Sequence, residues 1–408
     1  MSSQDFSIPF KKTKYEGYAS FQYLEPETDF KTFNLAPELG RKPLYDLGLT
    51  AEQAERTKNL IDNNITISLH EHPQVFPLDM SEARDYLRAG RQHTAYKGLS
   101  RSGLTAVFDN LTDGIGCIVS QSGWKWDDVV YDIAMRRSDI DHQDYVRIAY
   151  SIEDITAAQA HGQLALILSL EASTPLENEL DRVDLLYGLG VRQMGIAYSE
   201  SNTLGTGLKE RHDGGLTGFG RRAVRRMNKL GMAIDVSHSS DQTCLDVFET
   251  SDKPVLITHA GARAIWPTSR MKPDNVIKAC AQTGGVIGIE AAPHTTLSKE
   301  NPQHSLESVM EHFEYCVNLV GIDHVGFGPD TLYGDHVALH HEFVSNLGIH
   351  DDAYDGPEFT EVEYVAGLEN PTECFFNITG WLVKNGYSDA EIIAVTGGNT
   401  MRALKAIW

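Results

Sequence analysis

LTGFGRRAVRRMNKLG (216–231) runs directly into MAIDVSH (232–238), and the fold is decided at this junction. The first part is amphipathic, and its arginines and lysine form an outer face. The second is a short apolar run that ends in a histidine. A helix feeding a buried strand is half of a βα repeat, and the same alternation begins near residue 51 and continues to the end. Eight apolar runs fit it: NITISLHEH (64–72), GIGCIVSQ (114–121), LALILSLEAS (164–173), VRQMGIAYS (191–199), MAIDVSH (232–238), VLITHAG (255–261), GVIGIEA (285–291) and HVGFGPD (324–330). Most are almost continuously apolar, as strands covered on both faces are. Eight such units predict an α/β fold, a (β/α)8 TIM-type barrel, over residues 51–408. Residues 1–50 are mixed in character and read as an N-terminal extension packing on the barrel. Two stretches read as long active-site loops at its mouth. One is 73–110. The other is 331–370, with His336, His340, His341 and His350. Trp124 and Trp126 fit either a pocket rim or loop packing.

Composition narrows the function. Of the 408 residues, 41% are hydrophobic and 23% charged, which is globular. With 35 Lys and Arg against 57 Asp and Glu, the formal charge is −22. Such a surface repels nucleic-acid phosphates and anionic lipid, so neither is an expected partner. The five cysteines, Cys117, Cys244, Cys280, Cys316 and Cys374, form no CxxC pair and predict neither a disulfide framework nor a cysteine zinc site. The first twenty residues contain no apolar signal-peptide core, and no run is long enough to span a bilayer. The expected location is the cytoplasm.

The chemistry is carried by what ends the runs. His70 and His72 end the first, Glu171 the third, His238 the fifth, His259 the sixth and Asp330 the eighth. In a barrel these ends converge on one face. An H-x-H pair on a strand directs both imidazoles to the same side, so both can reach one ion. A carboxylate between two ions can bridge them. Imidazole with carboxylate suits two divalent metal ions, zinc first, with manganese, iron or cobalt as alternatives. Each residue alone has a structural reading: a buried salt bridge for Glu171, a helix cap for Asp330. Their shared position is what points to a metal centre.

With those residues in view, the chain resembles the membrane (renal) dipeptidase family, peptidase family M19, among the amidohydrolase-like barrels. The segments that carry the resemblance are GLTGFGRRAVRRMNKLGMAIDVSHSS (215–240), ITHAGARAIWPTSRMKPDN (257–275), LILSLEAS, VGFGPDT and GYSDAEIIAVTGGNTMRAL (386–404). The resemblance implies a hydrolase of dipeptide amide bonds, commonly a homodimer or higher homo-oligomer. It implies that Glu171 bridges two zinc ions, with His238 and His259 on one and His70 on the other. It further implies that Asp330 is the acid/base and that Arg270 holds a substrate carboxylate. Three positions depart from the family. His72 stands where it has an aspartate ligand, Tyr198 where it has a histidine near the scissile group, and Glu290 where an amide side chain is more common. Tyr198 can still donate to an oxyanion, and Glu290 suits either a cationic substrate group or a structural ion pair. The expected function is therefore cleavage of a small amide by a metal-bridged hydroxide. A non-peptide amide, lactam or ester is the alternative substrate, and a metal-free binding barrel is the non-enzymatic alternative.

Overall fold

The computed structural model describes residues 13–111, 125–347 and 355–408. The opening junction folds as its pattern predicts. Thr217 caps the helix Gly218–Leu230 by accepting the Gly220 N–H, and Gly231 ends it at φ 76°. That left-handed conformation suits a residue without a Cβ. Ala223, Val224 and Met227 are buried, while Arg226 reaches Asp184 at the outer surface. The strand Ala233–Asp235 follows immediately.

Nine parallel strands occur among the described residues. Eight of them are β1 (Ile67–Glu71), β2 (Ala106–Asn110), β3 (Leu164–Leu170), β4 (Gln193–Gly195), β5 (Ala233–Asp235), β6 (Ile257–Ala260), β7 (Ile287–Ile289) and β8 (Val325–Phe327). β1 to β5 pair side by side in chain order, and β6 to β8 form a second parallel sheet. A short strand, Val146–Ile148, also pairs with the start of β3. Backbone bonds join the two sheets on both sides. Leu256 N donates to Ile234 O at 2.9 Å, and Val236 N donates to Leu256 O at 3.1 Å. On the other side Asp330 N donates to His70 O at 3.0 Å, and His72 N donates to Thr331 O at 2.8 Å. The ends of β1 and β8 thus lie against each other.

All seven residues of β3 are buried. Its alternate residues enter different apolar clusters: Leu164, Leu166, Leu168 and Leu170 in one, Ala165 and Ile167 in the other with Leu404 and Ile407. Both faces are therefore covered, which is why the run is apolar without alternation. β4 crosses closely behind the end of β3. A Cβ on Gly195 would stand 1.8 Å from the backbone oxygen of Glu171, so only glycine fits there.

The second strand differs from the expectation. The run 114–121 lies outside the described residues, and β2 comes from 106–110, which reads as loop in the sequence. Its last residues, Asp109 and Asn110, look like loop residues because they are polar. Inside the fold Asp109 is fully buried with the Arg136 guanidinium at 3.1 Å, so the charge has an opposite partner. The remainder of 73–105 is also more regular than a loop. It holds an antiparallel pair, Gln74–Val75 with His93–Thr94, and the helix Ala83–Ala89. After β8, His336–Leu347 is likewise helical. His341 is exposed beside Glu361, and His350 lies outside the described residues.

The described part of the N-terminal stretch is fastened to the body. Tyr18 and Phe21 are buried, and the Tyr18 hydroxyl donates to Asp139 Oδ1 at 2.7 Å. Cys244, Cys280, Cys316 and Cys374 are buried free thiols, and Cys117 lies outside the described residues. Among the described residues no helix is long and apolar enough to cross a membrane.

Candidate metal centre and cavity

The strand ends bring six ligand-type side chains together. Glu171 Oε1 lies 3.2 Å from His70 Nε2, 3.6 Å from His238 Nε2 and 3.4 Å from His259 Nε2. Asp330 Oδ1 lies 3.3 Å from the Nε2 atoms of both His70 and His72. Three overlapping sets have their ligand atoms within 4.8 Å of one another: His70, His72 and Glu171; His70, His259 and Asp330; Glu171, His238 and His259. Glu171 is common to the first and last.

The surroundings of the imidazoles fit a metal. His72 Nδ1 is 3.0 Å from the backbone oxygen of Asn110, so Nδ1 carries the hydrogen and Nε2 offers its lone pair to the centre. His259 Nδ1 lies 2.9 Å from Thr258 Oγ1, a hydroxyl able to accept its hydrogen. The side-chain amide of Asn110 lies 2.8 Å from His70 Nδ1. It is the amide nitrogen Nδ2 that faces the ring, so the contact positions the imidazole without assigning its tautomer. His238 Nε2 and His259 Nε2 face each other at 2.9 Å, and His70 Nε2 and Asp330 Oδ1 are buried without a hydrogen-bond partner. Two lone pairs aimed at one point are repulsive unless a proton or a cation lies between them. Burial first, then the nearby Arg270 charge, holds His238 well below the ordinary histidine value, and burial followed by His70 does the same for His259. Neutral imidazoles are the form that binds metal.

His70 behaves in the opposite way. Burial works against its charge, but Asp330 and Glu171 overcome this and push its pKa up to about 10. Without metal, its protonated form stabilises the fold fully below the ordinary value of 6.5, and that stabilisation is lost as pH rises through about 10. An incoming ion must displace the proton. Metal affinity measured by calorimetry should therefore rise by about tenfold per pH unit across this window, one proton being released. A flat profile would refute the displacement.

Two residues that the sequence reading passed over support the centre. Asn110 contacts both histidines of β1. Glu71, between those histidines, accepts the Thr331 N–H and hydroxyl, each at 2.7 Å, and the Ser68 hydroxyl at 2.9 Å. It ties β1 to the residue after Asp330, which sits at φ 58°, a conformation few residues other than glycine adopt. The signal for Glu71 was its place inside H-x-H. That for Asn110 was a polar pair closing the run AVF.

A cavity of about 290 Å³ opens beside the centre, with His72, Glu171, His238 and Asp330 in its wall. Tyr198 also lines it, stacked on His238 with ring centroids 4.0 Å apart. The helix after β8 adds His336 and His340, both held below the ordinary value by burial. Arg270 faces the cavity, and its Nη2 donates to Glu290 and to the backbone oxygen of His259. Glu290 is fully buried and is not part of the wall; burial pushes its pKa up to about 7 against the pull of Arg270. Trp126 packs under Arg182, 4.8 Å from its guanidinium carbon, away from this wall, and Trp124 lies outside the described residues.

Parallel strands that carry ligand-type histidines and carboxylates at one end define an amidohydrolase-like α/β protein. The sequence profile of membrane dipeptidase (peptidase family M19) matches residues 128–348, more than half of the chain. The chain belongs to this family. Among curated relatives, "Dipeptidase tcpJ" of Claviceps purpurea is 27% identical over 269 residues, covering 65% of this chain and 56% of that one. "Dipeptidase 3" of Macaca fascicularis is 27% identical over 266 residues, covering 64% and 48%. The match thus spans about half the length of these relatives. An amidohydrolase from Pseudomonas aeruginosa superposes with a TM-score of 0.70 at 26% identity, over 86% of this chain and 99% of that one. A Rhodobacter sphaeroides metallo peptidase, solved with a phosphinate mimic of the dipeptide L-Ala-D-Ala, shares the fold at 18% identity, TM-score 0.64, over 85% and 100%.

Proposed function

We propose that the chain is a metal-dependent hydrolase of a small amide, dipeptidase-like in its chemistry. The observation that carries this reading is the Glu171 carboxylate, ringed by three imidazole Nε2 atoms and shared by two ligand sets. His70, His72 and Glu171 would hold one divalent ion, and Glu171, His238 and His259 a second, zinc suiting the donors best. When bound, such ions polarise the carbonyl and make water acidic enough to attack near neutral pH.

The chain's own residues do the rest. Asp330 would take a proton from the attacking water and hand it to the departing nitrogen. Tyr198, stacked on His238 in the cavity wall, would offer its hydroxyl to the oxygen that gains charge. Arg270 anchors the leaving side of the substrate. Water is added across the C–N bond: the carbonyl carbon takes the oxygen and the nitrogen leaves with a proton. A non-peptide amide, lactam or ester is the second reading, and the engagement of Arg270 by Glu290 favours it.

The test is reconstitution. Purified protein stripped with chelator and resupplied with Zn2+ or Mn2+ is expected to release amine from dipeptides or blocked amides only when metal is present. Substantially less than one ion bound per chain would overturn the reading in favour of a metal-free binding barrel.

A further inference from the structure

The guanidinium of Arg270 can grip a carboxylate with two parallel N–H bonds in two ways only. One fork uses Nη1 with Nη2, the other Nε with Nη2, because Nε–H lies on the same side as Nη2. Both need Nη2. In this chain both hydrogens of Nη2 are committed, one to Glu290 Oε2 and one to the backbone oxygen of His259 at 3.0 Å. Nη1 also approaches the Ser237 oxygen, at 3.4 Å. What remains for the cavity are single donors on Nε and Nη1, which suit one neutral carbonyl oxygen.

Charge points the same way. Glu290 is fully buried against Arg270, so its carboxylate, where ionised, offsets the guanidinium that faces the cavity. The other cation of the described wall, Lys209, lies 3.7 Å from Asp355, which also accepts the Ser269 N–H at 3.0 Å. His336 and His340 add neutral rings. A substrate carboxylate entering here would have to displace Glu290 and leave a buried carboxylate without its partner, which is costly.

We propose that this site selects small amides or esters whose leaving side ends in a neutral carbonyl, a C-terminal carboxamide or ester, over those that end in a free carboxylate. The proposal rests on the hydrolase reading for its chemistry, but the selection is a binding property and is tested separately. The probes are L-Ala-L-Ala and its C-terminal amide. Affinities for both are measured by calorimetry on metal-loaded Asp330→Asn protein, and kcat/KM for both on the metal-loaded unaltered chain. The amide is expected to be favoured at least tenfold in affinity. Glu290→Gln should shift that ratio at least tenfold toward the free acid, and Glu290→Ala should shift it in the same direction. Tighter binding of the acid by the unaltered site, a ratio unmoved by both Glu290 variants, or binding of neither probe would each overturn the proposal. Binding preference without turnover of either compound would leave the selection standing and remove the hydrolase reading.

Discussion

Glu171→Gln protein is expected to lose both metal binding and turnover, the former by more than the 10–100-fold typical when an outer partner of a ligand is removed. The glutamine fills the same space, so the fold should persist. What changes is the atom at the centre. The carboxylate oxygen facing His70, His238 and His259 at 3.2, 3.6 and 3.4 Å carries the negative charge that two cations would share. A neutral amide can bridge poorly, and its NH2 face would repel them. Elemental analysis and circular dichroism on the same sample decide the matter. Retained stoichiometric metal would show that Glu171 is not a ligand, and lost secondary structure would show that it is chiefly structural.

Asp330→Asn should have the complementary phenotype: metal kept, turnover down by about 10²–10⁴-fold, the range for loss of a positioned acid/base. Asn tolerates the φ of 58° as well as Asp does, so the backbone need not move. Glu71 should continue to hold Thr331, so the asparagine remains pointed at His70 and His72. The variant loses the capacity to accept a proton and the negative charge that helps raise the His70 pKa. Full activity with metal bound would remove Asp330 from the mechanism.

How much of this could be read in the chain depended on where polarity fell. Apolar runs closed by a single histidine or carboxylate, such as MAIDVSH and LILSLEAS, stood out because nothing else in the run competes for water. They became β5 and β3, and their terminal residues reached one centre. β2 was illegible for the converse reason. It is five residues long and ends in Asp109 and Asn110, and the cation that pairs with Asp109 is Arg136, on a later helix. No local pattern announces a long-range ion pair. The helix His336–Leu347 was hidden in the same way, its histidines giving it a loop-like composition although two of them face the cavity. Arg270 and Glu290 were both visible as site candidates. Their contact was not, since only the closure of β6 and β7 side by side puts the two together.

The bond from Thr331 to Glu71 spans 260 positions of sequence. Its neighbours His70 and Asp330 meet only when the first and last strands do. On a ribosome, the chain would emerge for most of its synthesis with His70 and His72 exposed and no Asp330 to meet them. Contacts of such long range are slow to form and come late in folding. The intact centre is therefore a product of completed folding. Free metal in excess during refolding should capture the early histidines in wrong partnerships, and metal supplied after the fold has closed should give the cleaner holoprotein.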